Sequence, residues 1–364
     1  MGTLRSAWEE RYLVVAPQGL GDSLEATPIV AGLKRARPEV PIDVVVLRPG
    51  PRELFGGMPK LVAEVIYLPY WEKGRAAFAA ELLGACRRRR YTASFLAYPA
   101  ARREYHLMTR MFGARRRFAH RYDGRALWSL QWLHTDLVEV RDHHTILRNL
   151  DLLEAAGLPA SRDLTYVVPA QWRSGERHER RIAVHPGTIA HDGLDAKRWP
   201  AERFASLAAR LAGDGYEVHL ISGPAERDLV ATIADRVRPA SVFEGSLAEV
   251  ARFLSSCAAV VSNDSGIAHL AAAVGAPVIA LHGPTTVHGG PYGERAVAFR
   301  PSPCPPCFDP RRLDMSCALG IDYACLKRDM PADLVYSRLR SLLIEGLEFA
   351  HSGNPGEIRP LSHS

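Results

Sequence analysis

The chain has 364 residues, 47% of them apolar and 24% charged, with a net charge of +6. That length allows two ordinary domains with cores of their own, and the composition excludes a disordered or fibrous chain. No apolar run approaches the length of a membrane span, and Met1 to Glu10 lacks the hydrophobic core of a secretory leader, so a cytoplasmic protein with at most peripheral membrane contact is expected.

Taken in order, Leu13–Ala16 reads as a buried strand, followed by the Gly19-Leu20-Gly21-Asp22 loop and a helix over Glu25–Ala36 that Pro38 closes. Strands follow at Ile42–Leu47 and Val65–Leu68, a helix over Ala76–Arg88 and a strand at Thr92–Leu96. The pattern blurs between Trp128 and Thr145, then a helix runs from His143 to Ala156. A polar connector near Pro169–Arg180 precedes a second alternation: strands at Ile182–His185, Glu217–Ile221, Ala259–Ser262 and Pro277–Leu281, with helices over Ala201–Ala212, Glu226–Val237, Leu247–Ser256 and around Ala271–Ala273. A helix from Pro331 to about Leu347 and a Gly/Pro/Ser-rich tail end the chain. Strands alternating with helices indicate parallel sheets covered on both faces, here in two similar α/β domains with a cleft between them. The expected division is 1–170, a linker at 171–180, a second domain at 181–350 and a disordered tail at 351–364.

Charge is unevenly spread. Residues 1–180 carry 28 Lys and Arg against 20 Asp and Glu, and the remainder 18 against 20. The excess includes the runs Arg87–Arg90, Arg102–Arg103 and Arg115–Arg117, which either attract a phosphorylated acceptor or anionic lipid or are simply solvated. They interleave with aromatics in no nucleic-acid motif, so no nucleic-acid partner is expected.

The most informative stretch is Val260 to Ala273, where a short apolar run ends in Asp264-Ser265-Gly266 and passes into an Ala-rich helix carrying His269. Free backbone N–H groups and the positive helix end suit an anionic or sugar-like ligand there. The Gly19–Asp22 loop occupies the same position after the first strand, where ligands sit in open α/β sheets. It lacks the third glycine of a dinucleotide fingerprint and the Gly-Lys-Ser/Thr of a Walker loop. Asp22 is a general base if it faces the cleft, or an N-cap. His185-Pro186-Gly187-Thr188, Ser222-Gly223-Pro224-Ala225-Glu226, Gly245-Ser246-Leu247 and His282-Gly283-Pro284-Thr285 end or open elements at the same rim. Glu226 can accept from vicinal ribose hydroxyls, Gly245 can read a base edge through its backbone, and Ser246 can equally be a plain helix cap. Lys197, presented before Trp199-Pro200, is a natural phosphate ligand or an ordinary surface lysine, with Trp199 anchoring its loop.

Four of six cysteines cluster as Cys304-x2-Cys307-x9-Cys317-x7-Cys325. In a cytosolic chain such a group more often holds metal than disulfides, so a structural iron or zinc on these four sulfurs is an expectation, beside unligated thiols and a redox pair.

In combination and order, these motifs resemble the ADP-heptose:lipopolysaccharide heptosyltransferase family over roughly residues 11–345. The matching pieces are Gly21-Asp22 with Thr27-Pro28, Lys197-x-Trp199-Pro200, Gly223-Pro224 with Glu226, Asp264-Ser265-Gly266-x-x-His269-Leu270-Ala271, and Gly275-x-Pro277 leading to Gly283-Pro284-Thr285. The resemblance implies a GT-B fold, two Rossmann-like domains facing a central cleft, with acceptor bound by the first and an ADP-sugar donor by the second. It implies an inverting glycosyltransferase that moves a heptose or related sugar without a catalytic metal. Carried over, Asp22 is the base and Gly19 and Gly21 support its loop. Thr188 and Lys197 contact donor phosphate, Glu226 the ribose, Gly245 the adenine, and Asp264, Ser265, Gly266 and His269 hold pyrophosphate and sugar. The Cys-rich insert of 304–325 looks like one that holds iron in protein-modifying relatives. The longer segment between Thr188 and Lys197, with Ile189 in place of a second hydroxyl, departs from the pattern. The acceptor is therefore open among lipopolysaccharide core, a natural product and a protein, and so is the oligomeric state. Two alternatives stand beside this reading: a GT-B enzyme using another nucleotide sugar, and a non-catalytic scaffold with metal on its four cysteines.

Overall fold

A computed structural model describes residues 10–88, 90–122, 129–159, 165–188, 196–237, 240–308 and 316–352. The first sheet comprises β1 (Tyr12–Ala16), β2 (Ile42–Val46), β3 (Glu64–Tyr67), β4 (Ala93–Leu96), β5 (Arg116–Arg121) and β6 (Asp136–Glu139). All pairs are parallel, in the order β3-β2-β1-β4-β5-β6. The second comprises β7 (His178–His185), β8 (Glu217–Ile221), β9 (Ser241–Phe243), β10 (Cys257–Asn263), β11 (Val278–Leu281) and β12 (Ala296–Phe299). It is parallel too, ordered β12-β11-β10-β7-β8-β9. Counted within each sheet, both follow the 3-2-1-4-5-6 order of doubly wound folds, so each has a switch point between its first and fourth strands.

The sequence dictates this burial. Tyr12–Ala16 and Ile42–Val46 are buried at every position, as a sheet covered on both faces requires. Val14, Val44 and Phe95 pack on one face against Leu24, Ile29 and Leu33 of helix Leu20–Ala36. Leu13, Val15 and Val45 pack on the other against Tyr105, Met108 and Phe112. In the second half Ile182, Val184 and Val261 meet Phe204, Leu207 and Leu211 of helix Ala201–Gly213, with Leu339 from helix Ala332–Ser352.

Three differences from the sequence reading bear on function. The helix expected from Glu25 begins at Leu20, so Gly21 and Asp22 lie in its first turn and Pro28 lies inside it. Proline removes a helical N–H, and the Leu24 carbonyl it would have served accepts the Thr27 hydroxyl at 2.7 Å instead. Arg115–Arg117 leads into and opens β5: Arg116 pairs with Asp136 at 2.8 Å, while the Arg117 guanidinium donates to Leu133 O and Ala114 O. That stretch of the basic run is therefore tied into the sheet rim. The stretch read as a connector holds a short turn at Ala170–Trp172 and the start of β7. Ile189 and residues 353–364 of the expected tail lie outside the described residues. Among the described residues no helix is long and apolar enough to cross a membrane.

Candidate functional site

The carboxyl ends of the two sheets face one cavity of about 470 Å³. Gly19, Gly21, Asp22, Thr188, Lys197, Glu226, Gly245, Asp264, Ser265, Gly266 and His269 all line it. The four clustered cysteines do not.

Two helix N-termini meet here, one after each switch strand. Gly19 is the N-cap of helix Leu20–Ala36 and Ser265 that of helix Gly266–Ala273, and neither makes a side-chain cap bond. The helices approach so closely that only glycine fits. A Cβ on Gly21 would stand 2.8 Å from His269 Cδ2, and one on Gly266 would stand 2.9 Å from Leu20 Cβ. Asp22 is thus not an N-cap but the third helical residue, and its carboxylate turns back to accept from the backbone of Gly19 and of Asp22 itself. Burial, opposed by Lys197 and reinforced by Asp264, pushes this carboxyl up to about 6.

Asp264 anchors the opposite wall. Its Oδ2 accepts from Lys197 Nζ at 2.8 Å and Thr285 Oγ1 at 2.7 Å. Burial alone would raise its carboxyl, but Lys197, with His282 and Thr285, holds it well below the usual carboxylate range. The Asp264 carbonyl accepts from Thr188 Oγ1 at 3.3 Å, and Ser265 Oγ sits 3.0 Å from Ser262 Oγ and 3.3 Å from His185 Nδ1. Asn263, fully buried, ties three loops together. Its Oδ1 accepts from the Trp199 N–H at 3.0 Å and its Nδ2 donates to Pro186 O at 2.7 Å. Trp199 is fully buried and its Nε1 donates to Met330 O at 2.8 Å, so the Lys197 loop is anchored as expected. At the far end Glu226 Oε2 accepts from Gly223 N at 2.9 Å, and Ser246 forms a capping box with Glu249.

His269 is buried, and burial drives its imidazole down to about 3, so it is neutral. Tyr166 OH accepts from Tyr292 N at 3.1 Å and lies 3.0 Å from His269 Nδ1. With the phenol donating to Nδ1, the ring proton sits on Nε2, the nitrogen nearer Gly21. The adjacent residue, Val167, donates its N–H to Thr27 Oγ1 at 2.9 Å in the first half.

Sequence reasoning missed several residues of the first-sheet wall: Glu25, Arg148, Tyr98 and Gln18. Glu25 carried a signal, since it follows Asp22 by three and shares its helix face. Arg148 carried none. Its guanidinium stacks 4.9 Å from the Tyr98 ring centroid, a contact made only by the tertiary fold.

The sequence profile of glycosyltransferase family 9 (heptosyltransferase) matches residues 106–315, more than half of the chain. The chain belongs to glycosyltransferase family 9. A lipooligosaccharide heptosyltransferase 2 of Haemophilus influenzae is 36% identical over 113 residues, 29% of this chain and 33% of that protein. A lipopolysaccharide heptosyltransferase 3 of Escherichia coli is 25% identical over 300 residues, 77% and 85% of the two chains. The first of these alignments therefore spans only a third of the relative. Among solved structures, a family 9 glycosyltransferase of Veillonella parvula superposes with a TM-score of 0.70 at 19% identity, covering 93% of this chain and 98% of that one. An E. coli heptosyltransferase solved with ADP-2-deoxy-2-fluoro heptose gives 0.68 at 21%, covering 91% and 99%. These likenesses establish the GT-B fold of two Rossmann-like domains.

The expected metal on the cysteine cluster of this family 9 member is overturned. Among the described residues no group of three or more His, Cys, Asp or Glu side chains could hold a metal ion, and Cys304, Cys307, Cys317 and Cys325 are all free. Cys325 is buried in the second core, where burial pushes its thiol up. Cys317 lies near the surface, and the backbone N–H groups of Tyr323, Ile321, Leu319 and Gly320 hold its thiol below the usual value. The spacing in sequence does not bring these four sulfurs to one chelating point.

Proposed function

We propose that this family 9 chain transfers a sugar, heptose in the first instance, from an ADP-linked donor to an acceptor hydroxyl with inversion. One observation carries the reading: Asp22 and the Lys197–Asp264 pair, from opposite halves, line one cavity where two helix N-termini converge. The relatives' names, lipopolysaccharide heptosyltransferases among them, and the ADP-heptose analogue bound to one of them point to the same donor. The division at 1–170 and 181–350 would then separate acceptor and donor halves.

In this reading the acceptor oxygen attacks the anomeric carbon as the bond from that carbon to the diphosphate oxygen breaks. Asp22 takes the hydroxyl proton, help of a kind worth ~10²–10⁴ in rate. Lys197, Thr188 and the N–H groups after Asp264 stabilise the negative charge that grows on the departing diphosphate. Neutral His269 offers its Nε2 proton as a donor to diphosphate or sugar and moves no proton. Glu226 and the backbone at Gly245 hold ribose and adenine. Lys197 is engaged by Asp264 in the free protein, so an arriving phosphate shares an existing cation.

Calorimetric titration with ADP, GDP and UDP tests the donor half: ADP binding tighter than GDP and UDP is expected, and a preference for another nucleotide would transfer the reading to a different donor. Asp22→Asn tests the mechanism. Loss of transfer with ADP affinity retained supports it, and near-normal transfer removes Asp22 as the base.

A further inference from the structure

Glu25 has no place in the reaction above, yet it is the most anomalous side chain of the cavity. It is 2% exposed and lines the same space as Asp22. Its Oε1 is buried without a hydrogen-bond partner, and among the described residues it makes no ion pair. An ionised carboxylate in such a place is strongly unfavourable, and a group so placed sheds its charge by keeping its proton. The two carboxyls stand at i and i+3 on one helix, where side chains are neighbours, with Cβ atoms about 5–6 Å apart. Like-charged carboxyls on neighbouring side chains, one of them all but fully buried, do not both ionise readily, and one retains its proton.

We propose that Glu25 keeps its proton at neutral pH and, as an uncharged acid one helical turn from Asp22, is the positioning residue that leaves Asp22 the sole negative charge on the first-sheet side of the cavity. This rests on the reading of Asp22 as the base. A second charge one turn away would hold the proton on Asp22 and disable it at the pH where it is needed. The groups around Glu25 fit this assignment. Burial is the leading influence and keeps its proton on, Asp22 on its own helix and Asp264 from the opposite wall act in the same sense, and Arg148 and Lys197 oppose them. Tyr166 and His269, on the segment and helix packed beside it, are uncharged.

The test uses the full-length protein without substrate. Carboxyl carbon NMR follows the titration of Asp22, assigned by loss of its signal in Asp22→Asn, in the wild type and in Glu25→Gln. Gln matches the shape of a neutral Glu, so the Asp22 midpoint is expected to stay within about 0.3 units of the wild type. If Glu25 is ionised, removing its charge lowers that midpoint by about one unit or more, and the proposal falls. Infrared spectra decide independently if Glu25→Gln fails to fold. A protonated-carboxyl band at pH 7 in the wild type is expected, and its absence overturns the proposal. Failure of the base reading has a different signature, normal transfer by Asp22→Asn, and leaves both spectroscopic results standing.

Discussion

Asn263→Ala would remove the amide that joins the end of β10 to two loops of the second half. The substitution orphans the Trp199 N–H and the Pro186 carbonyl, bonded in the native protein at 3.0 and 2.7 Å and both sealed from water. A buried backbone group left without a partner costs about 1–3 kcal/mol, so the pair costs about 2–6 kcal/mol. For a folding unit of this size each kcal/mol lowers the melting temperature by about 2–4 °C, which predicts a fall of roughly 5–20 °C. The same amide sets where the Lys197 loop stands against Asp264, so ADP affinity falls together with stability. Differential scanning fluorimetry and calorimetry with ADP measure the two effects. Asn263→Asp keeps the acceptor for Trp199 N–H but, when ionised, sets a buried negative charge against the Pro186 carbonyl, so a fall at least as large as that of Asn263→Ala is expected above the carboxyl's pKa. A fall below about 3 °C, with ADP affinity intact, would show that the loops hold one another without Asn263 and would refute the reasoning.

Turnover of the wild type is expected to rise with pH as Asp22 loses its proton, with an acid limb near its raised value of about 6, and a limb at the usual carboxylate position of 3.8 would contradict Asp22 as the proposed base. Folding stability shows the converse sign: a folded-state value above the unfolded one favours the native protein at low pH, so this contribution is lost as pH climbs from about 4 to about 6 and disappears in Asp22→Asn, as urea denaturation at several pH values will show. Gly21→Ala places a methyl group 2.8 Å from His269 Cδ2, forcing either the helices or the His269–Tyr166 bond to give. Since a 1 Å misplacement can reduce rate about 10²-fold, a large loss of transfer with a modest change in melting temperature is expected, and rates within threefold of wild type would exclude a tight seam. Thiol alkylation followed by mass spectrometry is expected to mark Cys317 well before Cys257, whose thiol burial drives up to about 12.

Much of the molecule was legible because parallel strands announce themselves. Leu13–Ala16 and Pro277–Leu281 are continuous apolar runs, and Ile42–Leu47 is broken only at Asp43, which leaves few competing interpretations. The rim residues followed, since a ligand-facing loop must come where such a run stops. Other elements were illegible for physical reasons. β5 opens on arginines that owe their place to Asp136 and to backbone carbonyls, partners no local window reveals. β9 has only three residues, too short for periodicity to speak, and β12 is a half-buried edge strand next to Glu294 and Arg295, without the flanking signals of a central strand. The start of the Asp22 helix was hidden by glycines at 19 and 21, which suggest a loop until the opposing helix supplies the reason for them. The cysteine spacing misled because a chelate depends on where four sulfurs point, and that is decided by the core around Cys325 and the loop around Cys317.

Tyr166 and Val167 are neighbours in the chain with opposite allegiances. One grips His269 and the Tyr292 amide across the cleft, while the other is fastened to Thr27, five residues beyond Asp22. Widening the gap along this line by an ångström or two stretches one of these bonds past hydrogen-bonding length. The grip on the far side is the one that sets which nitrogen of His269 carries its hydrogen. The tautomer that a ligand meets in the cavity is thereby tied to a single tyrosine hydroxyl.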